Sequence, residues 1–230
     1  MANLEGTQLG TYELLELIGT GGMAEVYRAR QHNAFGRDVA VKVIRRGFSD
    51  DALFRERFLR EGQAAARLAH PHILPLIEVG QTGDSGELLF LVMPYVAGGT
   101  LRDLLAQTGG PLPIEVIARL FGQLCDAVQH AHEHGLIHRD IKPSNILLQN
   151  ERYALLTDFG IALDTEDVRL TSTGIGMGTA EYTAPEQAKG AADARSDIYS
   201  LGIVLFEMLT GQVPFTGKTA FEILFQRANR

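Results

Sequence analysis

Between Leu136-Ile137 and Ile146-Leu147-Leu148 lies the stretch His138-Arg139-Asp140-Ile141-Lys142-Pro143-Ser144-Asn145, rich in side chains able to bind or catalyse. A solvated turn between a helix and a strand is the plain alternative, but it has no need of such apolar flanks. The next residues, Ile146–Leu148, a turn around Gln149–Arg152 and Ala154–Thr157, read as a hairpin that ends in Asp158-Phe159-Gly160. The midpoint of 145 and 158 is about 151.5, inside the turn, so antiparallel pairing brings Asn145 and Asp158 to the same open end. A carboxamide oxygen beside a carboxylate is a hard donor pair suited to Mg²⁺, which takes few protein ligands and completes its shell with phosphate oxygens and water. Asp140, five residues before Asn145, is close enough to act on a nucleophile next to such a cation.

Two other charges stand on apolar faces. Lys42 lies between Val41 and Val43 and shares a strand face with Ala40 and Ile44. A solvated lysine on an edge strand is the alternative. Glu61 interrupts the helical stripe Phe54, Phe58, Ala65 and Leu68. Unpaired buried charge is costly, so Lys42 and Glu61 are expected to pair. Near them is Gly19-Thr20-Gly21-Gly22-Met23-Ala24-Glu25-Val26, which continues as a strand rather than a helix. It therefore reads as a hairpin tip, where glycines let backbone N–H groups approach phosphates; an ordinary turn is the alternative.

The elements that must hold these residues form two groups. Strands are expected at Tyr12–Ile18, Glu25–Arg30, Asp38–Ile44, Ile73–Val79 and Glu87–Met93, the last two separated by a turn from Gln81 to Gly86. A helix capped by Asp50 or Asp51 is expected to run to about Ala69. After Pro94 the pattern turns helical. Pro113 should open a helix that Gly135 stops, with Ile114, Ile117, Phe121, Leu124, Val128 and Ala131 on its apolar face. Ser196–Thr210 is apolar nearly all round, as a buried central helix would be, and another helix begins within Gly217–Gln226. A small β-rich lobe (1–94), a short connection and a larger helical lobe (95–230) follow, with a ligand expected in the cleft between them.

Composition narrows the classes. The 230 residues are 45% hydrophobic and carry a formal charge of −7, against nucleic-acid binding and a polybasic membrane surface. The one cysteine, Cys125, is read as core packing and leaves no internal disulfide, which favours a reducing compartment. No apolar run approaches the roughly 18 residues of a membrane span, and the first residues lack the pattern of a secretory signal. A cytoplasmic segment without membrane contact is expected.

In order, Gly19-x-Gly21-x-x-Ala24-x-Val26, Val39-Ala40-Val41-Lys42, Glu61, His138-Arg139-Asp140-x-Lys142-x-x-Asn145, Asp158-Phe159-Gly160 and Ala184-Pro185-Glu186 resemble the signatures of a protein kinase, specifically a bacterial eukaryotic-like Ser/Thr kinase. The resemblance runs from about Tyr12 to the end. It implies an α+β, two-lobed kinase fold that transfers the γ-phosphoryl of ATP, with Mg²⁺ or Mn²⁺, to protein Ser/Thr hydroxyls. It implies that Lys42, oriented by Glu61, holds the α/β-phosphates and that Asn145 and Asp158 carry the metal. Asp140 would accept or orient the hydroxyl proton, Lys142 would stabilise the γ-phosphoryl, and His138 would be structural.

The adenine is implied to lie among Ile18, Val26, Ala40 and Leu147. Met93 would line the back of its pocket, and the backbones of Pro94 and Val96 would supply hydrogen bonds. Lys142 and Thr179 resemble Ser/Thr rather than Tyr kinases. Arg139 beside Asp140 resembles kinases switched by phosphorylation, here at Thr171, Ser172 or Thr173, for which plain polar loop residues are the alternative. Ala24 departs from the third glycine. Family members continue for several helices and pair the residue matching Glu186 with an arginine, so the C-lobe is expected to be incomplete and Glu186 to lack that partner. Relatives allow a homodimer through the small lobe and a membrane anchor in a longer protein. A catalytically weak or inactive nucleotide-binding module is the alternative function, and a small-molecule phosphotransferase a third.

Overall fold

A computed structural model describes residues 4–33, 35–82, 88–159, 180–187 and 190–228. The chain divides into two compact units, Met1–Ala69 with Leu74–Val96, and His70–Ile73 with Ala97–Arg230.

The first unit is built on a six-stranded antiparallel sheet: β1 (Gln8–Leu9), β2 (Tyr12–Thr20), β3 (Ala24–Gln31), β4 (Arg37–Ile44), β5 (Glu78–Thr82) and β6 (Leu88–Pro94), in the order β1-β2-β3-β4-β6-β5. Alternation assigns the faces. Val39, Val41 and Val43 of β4 join Tyr12, Leu14, Tyr27, Ala29, Phe90 and Val92 in one buried cluster. The opposite face is apolar as well, with Ile44, Leu89, Leu91 and Met93 buried.

A four-residue turn of helix, α1 (Arg46–Ser49), precedes α2 (Ala52–Ala65). Asp51 caps α2, its carboxylate accepting from Leu53 N at 2.8 Å and Phe54 N at 3.3 Å. Phe54, Phe58, Gly62 and Ala65 form the buried stripe. Gly62 is required by contact, since a Cβ there would lie 2.9 Å from Val79 Cγ1 of β5.

Two expected boundaries shift. Helix α2 stops at Ala65 rather than near Ala69, because Arg67 N and Leu68 N bond back only three residues and the last turn tightens. The strand expected at Ile73–Val79 begins at Glu78 and includes Gln81 and Thr82, which were expected in a turn. Pro75 has no N–H for a ladder, so pairing starts beyond it, and Ile73 instead makes an isolated bridge with Leu156.

The second unit holds α3 (Leu101–Thr108), α4 (Ile114–Glu133), a 3-10 turn at Pro143–Asn145, the hairpin β7 (Ile146–Asn150) and β8 (Tyr153–Leu156), α5 (Ala194–Thr210) and α6 (Ala220–Ala228). Pro113 is the N-cap of α4 rather than its first residue. Gly135, at φ +74, lies just past its end. Cys125 is half-buried rather than core, and burial pushes its thiol pKa up. Sequence reading missed α3, although its capping box was visible: Thr100 accepts from Asp103 N at 3.2 Å and Asp103 accepts from Thr100 N at 2.8 Å.

Helix α5 also differs from expectation. Ile198, Phe206 and Leu209 are exposed, while Ser196, Asp197, Ser200 and Glu207 are buried. The buried face is thus partly polar, and each of these four groups is hydrogen-bonded. Among the described residues no helix is long and apolar enough to cross a membrane.

Candidate active site

In the first unit the glycine-rich stretch closes a hairpin between β2 and β3. Gly19 pairs with Val26 and Thr20 with Glu25, and Gly21 N donates to Ala24 O at 2.8 Å. Neither Gly21 nor Gly22 has positive φ, and a Cβ on either meets no atom of the chain closer than 3.5 Å. The fold itself does not demand glycine at either position. Glu25 turns its carboxylate to the protein, accepting from the Tyr27 hydroxyl at 2.7 Å and lying 3.6 Å from Arg45 Nη2. Ala24 is buried, and Met23 O accepts from Arg45 N.

Lys42 is not on an edge. Strand β4 runs between β3 and β6, and Lys42 stands opposite Val26 on one side and Leu91 on the other. It is half-buried, as is Glu61 on α2. Ala40 pairs with Met93, both buried, and Val39 pairs with Pro94; Val96 is half-buried and Ile18 is exposed.

The second unit gathers the remaining residues around one loop. Asp140 Oδ2 lies 2.8 Å from Lys142 Nζ and accepts from Asn145 Nδ2 at 2.9 Å. The same Asn145 nitrogen donates to the Asp140 carbonyl at 2.8 Å. Both partners are acceptors, so the amide nitrogen faces Asp140 and the amide can face only one way. The amide oxygen with the Asp158 carboxylate makes a hard donor set, which fits Mg²⁺ or Mn²⁺.

The hairpin register carries Asp158 to the same end as Asn145. Ile146 pairs with Leu156, and Thr157 N donates to Asn145 O at 3.0 Å. Thr157 O accepts from His138 Nε2 at 2.9 Å, so both backbone groups of Thr157 are held by the loop. Asp158 follows at φ +63, a left-handed conformation that is uncommon outside glycine and is found at functional sites.

Buried His138 carries its proton on Nε2 toward Thr157 O, and its Nδ1 accepts from Asp140 N at 3.3 Å. Burial lowers its pKa and keeps the ring neutral. Its ring lies 4.6 Å from that of Phe159. Leu147, half-buried on β7, bridges to Thr100. Gly160, Thr171, Ser172, Thr173 and Thr179 lie outside the described residues.

Residues 12–229 match the protein kinase domain family. The chain belongs to that family. This kinase domain is 44% identical over 218 residues to serine/threonine-protein kinase PknB of Mycobacterium leprae, covering 94% of the chain and 35% of that protein. It is 42% identical over 215 residues to serine/threonine-protein kinase PrkC of Bacillus subtilis, covering 93% and 32%. The chain thus spans about a third of the length of these curated relatives. The crystal structure of the Mycobacterium tuberculosis PknI kinase domain aligns with a TM-score of 0.74 at 33% identity, covering 94% of this chain and 80% of that one. The α+β kinase fold, with a β-rich first part and a helical second part, follows from the match and the alignment.

Sequence reading missed two groups of this kinase domain. Asp197, buried in the first turn of α5, accepts from His138 N and Arg139 N at 2.8 Å each and is 2.7 Å from His132 Nε2. Its signal was the one that singled out Glu61, a carboxylate inside an apolar helical stretch. Arg227 of α6 is the other. Its guanidinium donates to Glu181 O and Thr183 O and lies over the rings of Tyr199 and Phe215. Glu186, expected to lack an arginine partner, accepts from Ser196 Oγ at 2.7 Å.

Proposed function

We propose that the chain is the catalytic domain of an ATP-dependent serine/threonine protein kinase. The observation that carries this reading is the cluster of Asp140 with Lys142 at 2.8 Å and Asn145 at 2.9 Å, on a loop whose hairpin delivers Asp158. Support comes also from relatives in two bacterial genera that are themselves named Ser/Thr kinases.

In the proposed reaction a Ser/Thr hydroxyl oxygen attacks the γ-phosphorus of ATP, the bond to the β-phosphate oxygen breaks, and ADP leaves. Asp140 takes or orients the hydroxyl proton. The Lys142 ammonium offsets the charge that develops on the transferring phosphoryl. Lys42, oriented by Glu61, grips the α/β-phosphates, and the backbone of Gly19–Val26 covers them. Ile18, Val26, Ala40, Met93 and Leu147 enclose the adenine, with the Pro94 carbonyl and the Val96 backbone as its hydrogen-bond partners. Asn145 and Asp158 would hold Mg²⁺ or Mn²⁺, which supplies charge neutralisation at the phosphates when bound.

The test incubates the chain with labelled ATP, Mg²⁺ and a generic Ser/Thr protein, wild type beside Asp140→Asn. Transfer by the wild type and a loss of about 10²-fold or more in the variant are expected. Undiminished transfer in the variant overturns the role of Asp140. ATP binding without transfer by the wild type favours the inactive module.

Three finer proposals concern the whole protein: phosphorylation at Thr171 or Thr173 as the switch, a homodimer through the first unit, and a membrane anchor in a longer chain. A Thr171→Ala/Thr173→Ala protein with full activity and unchanged autophosphorylation removes the first. A strictly monomeric sedimentation profile across concentration removes the second, and recovery of the full-length protein wholly in the soluble cell fraction removes the third.

A further inference from the structure

Arg139 sits at φ +66, a backbone conformation that residues with a Cβ rarely adopt and that needs support from outside. Support reaches it from two elements. Its N–H donates to Asp197 Oδ1 at 2.8 Å, and its C=O accepts from Gln187 Nε2 at 2.8 Å. The other end of the same carboxamide, Gln187 Oε1, accepts from Ala184 N at 2.8 Å. A backbone N–H can only donate and a C=O can only accept, so this site asks for one donor and one acceptor on a single planar head. Glutamate offers two acceptors, methionine only a weak one, and lysine no acceptor.

The Arg139 carbonyl and the Asp140 N–H are the two ends of one peptide plane. Gln187 holds the first end, and His138 Nδ1 accepts from the second at 3.3 Å. With that carbonyl released, ψ of Arg139 and φ of Asp140 are less constrained, and any change in them that is not mutually compensating moves the Asp140 carboxylate relative to Lys142 and Asn145.

We infer that Gln187 is a positioning residue for phosphoryl transfer, its amide joining the Ala184-Pro185-Glu186 segment to the peptide that aims Asp140. The inference rests on the reading of Asp140 as the group that takes or orients the hydroxyl proton. The side chain of Gln187 hydrogen-bonds to Arg139 and Ala184, neither of which is among the proposed nucleotide and metal groups. Its loss should therefore appear in the chemical step rather than in ATP binding.

The test measures kcat and the KM for ATP in the full chain with Mg²⁺ and a generic Ser/Thr protein. Wild type, Gln187→Ala, Gln187→Glu and Asp140→Asn are compared, with a thermal midpoint for each. Gln187→Ala should lose about tenfold in kcat while its KM for ATP stays within about twofold. Gln187→Glu separates positioning from general loosening. At about pH 7.5 its carboxylate faces the Arg139 carbonyl without a proton to donate, so kcat falls as far. Facing a carbonyl oxygen in a half-buried position, that carboxyl has its pKa raised above the ordinary value of about 4.3. It therefore takes up a proton and regains the donor as the pH falls toward about 5, and kcat relative to wild type at the same pH should recover at least about threefold. A Gln187→Ala kcat within twofold of wild type overturns the inference, and so does a Gln187→Glu ratio that stays flat with pH. An active Asp140→Asn defeats the underlying reading instead, whereas an inactive Asp140→Asn beside a fully active Gln187→Ala defeats only the role of Gln187.

Discussion

Asp197 shows what a single buried carboxylate can organise. It takes donors from His138 N, Arg139 N and His132 Nε2. Replacement by alanine strands these donors away from water, so Asp197→Ala should cost about 3 kcal/mol in urea unfolding and remove most transferase activity. A fully stable Asp197→Ala protein would count against its role as the anchor of the loop. Lys42 makes a different prediction. It stands half-buried on an interior strand, and Lys42→Met should keep the unfolding midpoint while phosphoryl transfer drops about 10²-fold or more. Residue types were legible in the sequence wherever chemistry conflicted with pattern, as for Lys42, Glu61 and Asp140. Gln187 and Arg227 were not, because a glutamine in a loop and an arginine on a short helix break no local rule. Their importance comes from the backbone carbonyls they reach.

At the scale of elements, the hairpin register was readable because antiparallel pairing fixes partners once the turn is located, and Thr157 does meet Asn145. Helix α3 was overlooked, and the β5 boundary was displaced by Pro75, where ladder chemistry overrode apolar content. Gly98 marks where β7 meets the start of α3: a Cβ there would lie 2.0 Å from Leu148 O, next to the bond from Leu148 N to Gly99 O. Gly98→Ala should lower the thermal midpoint, at a cost of about 1–3 kcal/mol, whereas Gly122→Ala, with open space around it, should not.

The segment His70–Ile73 docks on α4 and β8. His70 stacks on His130 at 5.0 Å between ring centroids, His130 lies 4.3 Å from His134, and His72 lies 4.7 Å from Tyr153. Burial, then His130 and His72, lower the His70 pKa below 6.5, with Asp126 opposing. A depressed base binds fewer protons folded than unfolded, so this contribution is present above about pH 6.5 and is lost as pH falls through the folded value. His70→Leu should flatten the dependence of stability on pH in that window, measured by urea unfolding from about pH 7.5 to 5. An unchanged slope would place the titration elsewhere.

Across the whole molecule, the sequence by itself determined the family, the order of the proposed catalytic residues and the division into β-rich and helical parts. The family follows from the resemblance of its ordered motifs and the division from periods of two and 3.6 residues, all of them legible along the chain. Tertiary structure decided which polar groups are buried and what satisfies them. The apolar run of α5 turns Ile198, Phe206 and Leu209 outward and Asp197 and Glu207 inward, because Glu207 accepts from the Tyr182 hydroxyl at 2.5 Å and from Arg102 at 3.1 Å. Arg227, late in the chain, holds carbonyls more than forty residues earlier. Arg227→Ala should destabilise the domain by about 2 kcal/mol in urea unfolding and speed proteolysis near Glu181. Hydrophobic periodicity tells a helix which side to bury only when no buried charge awaits a partner from another element. That partner becomes visible only once the chain has folded, since the energy of a buried polar group depends on neighbours that sequence distance does not encode.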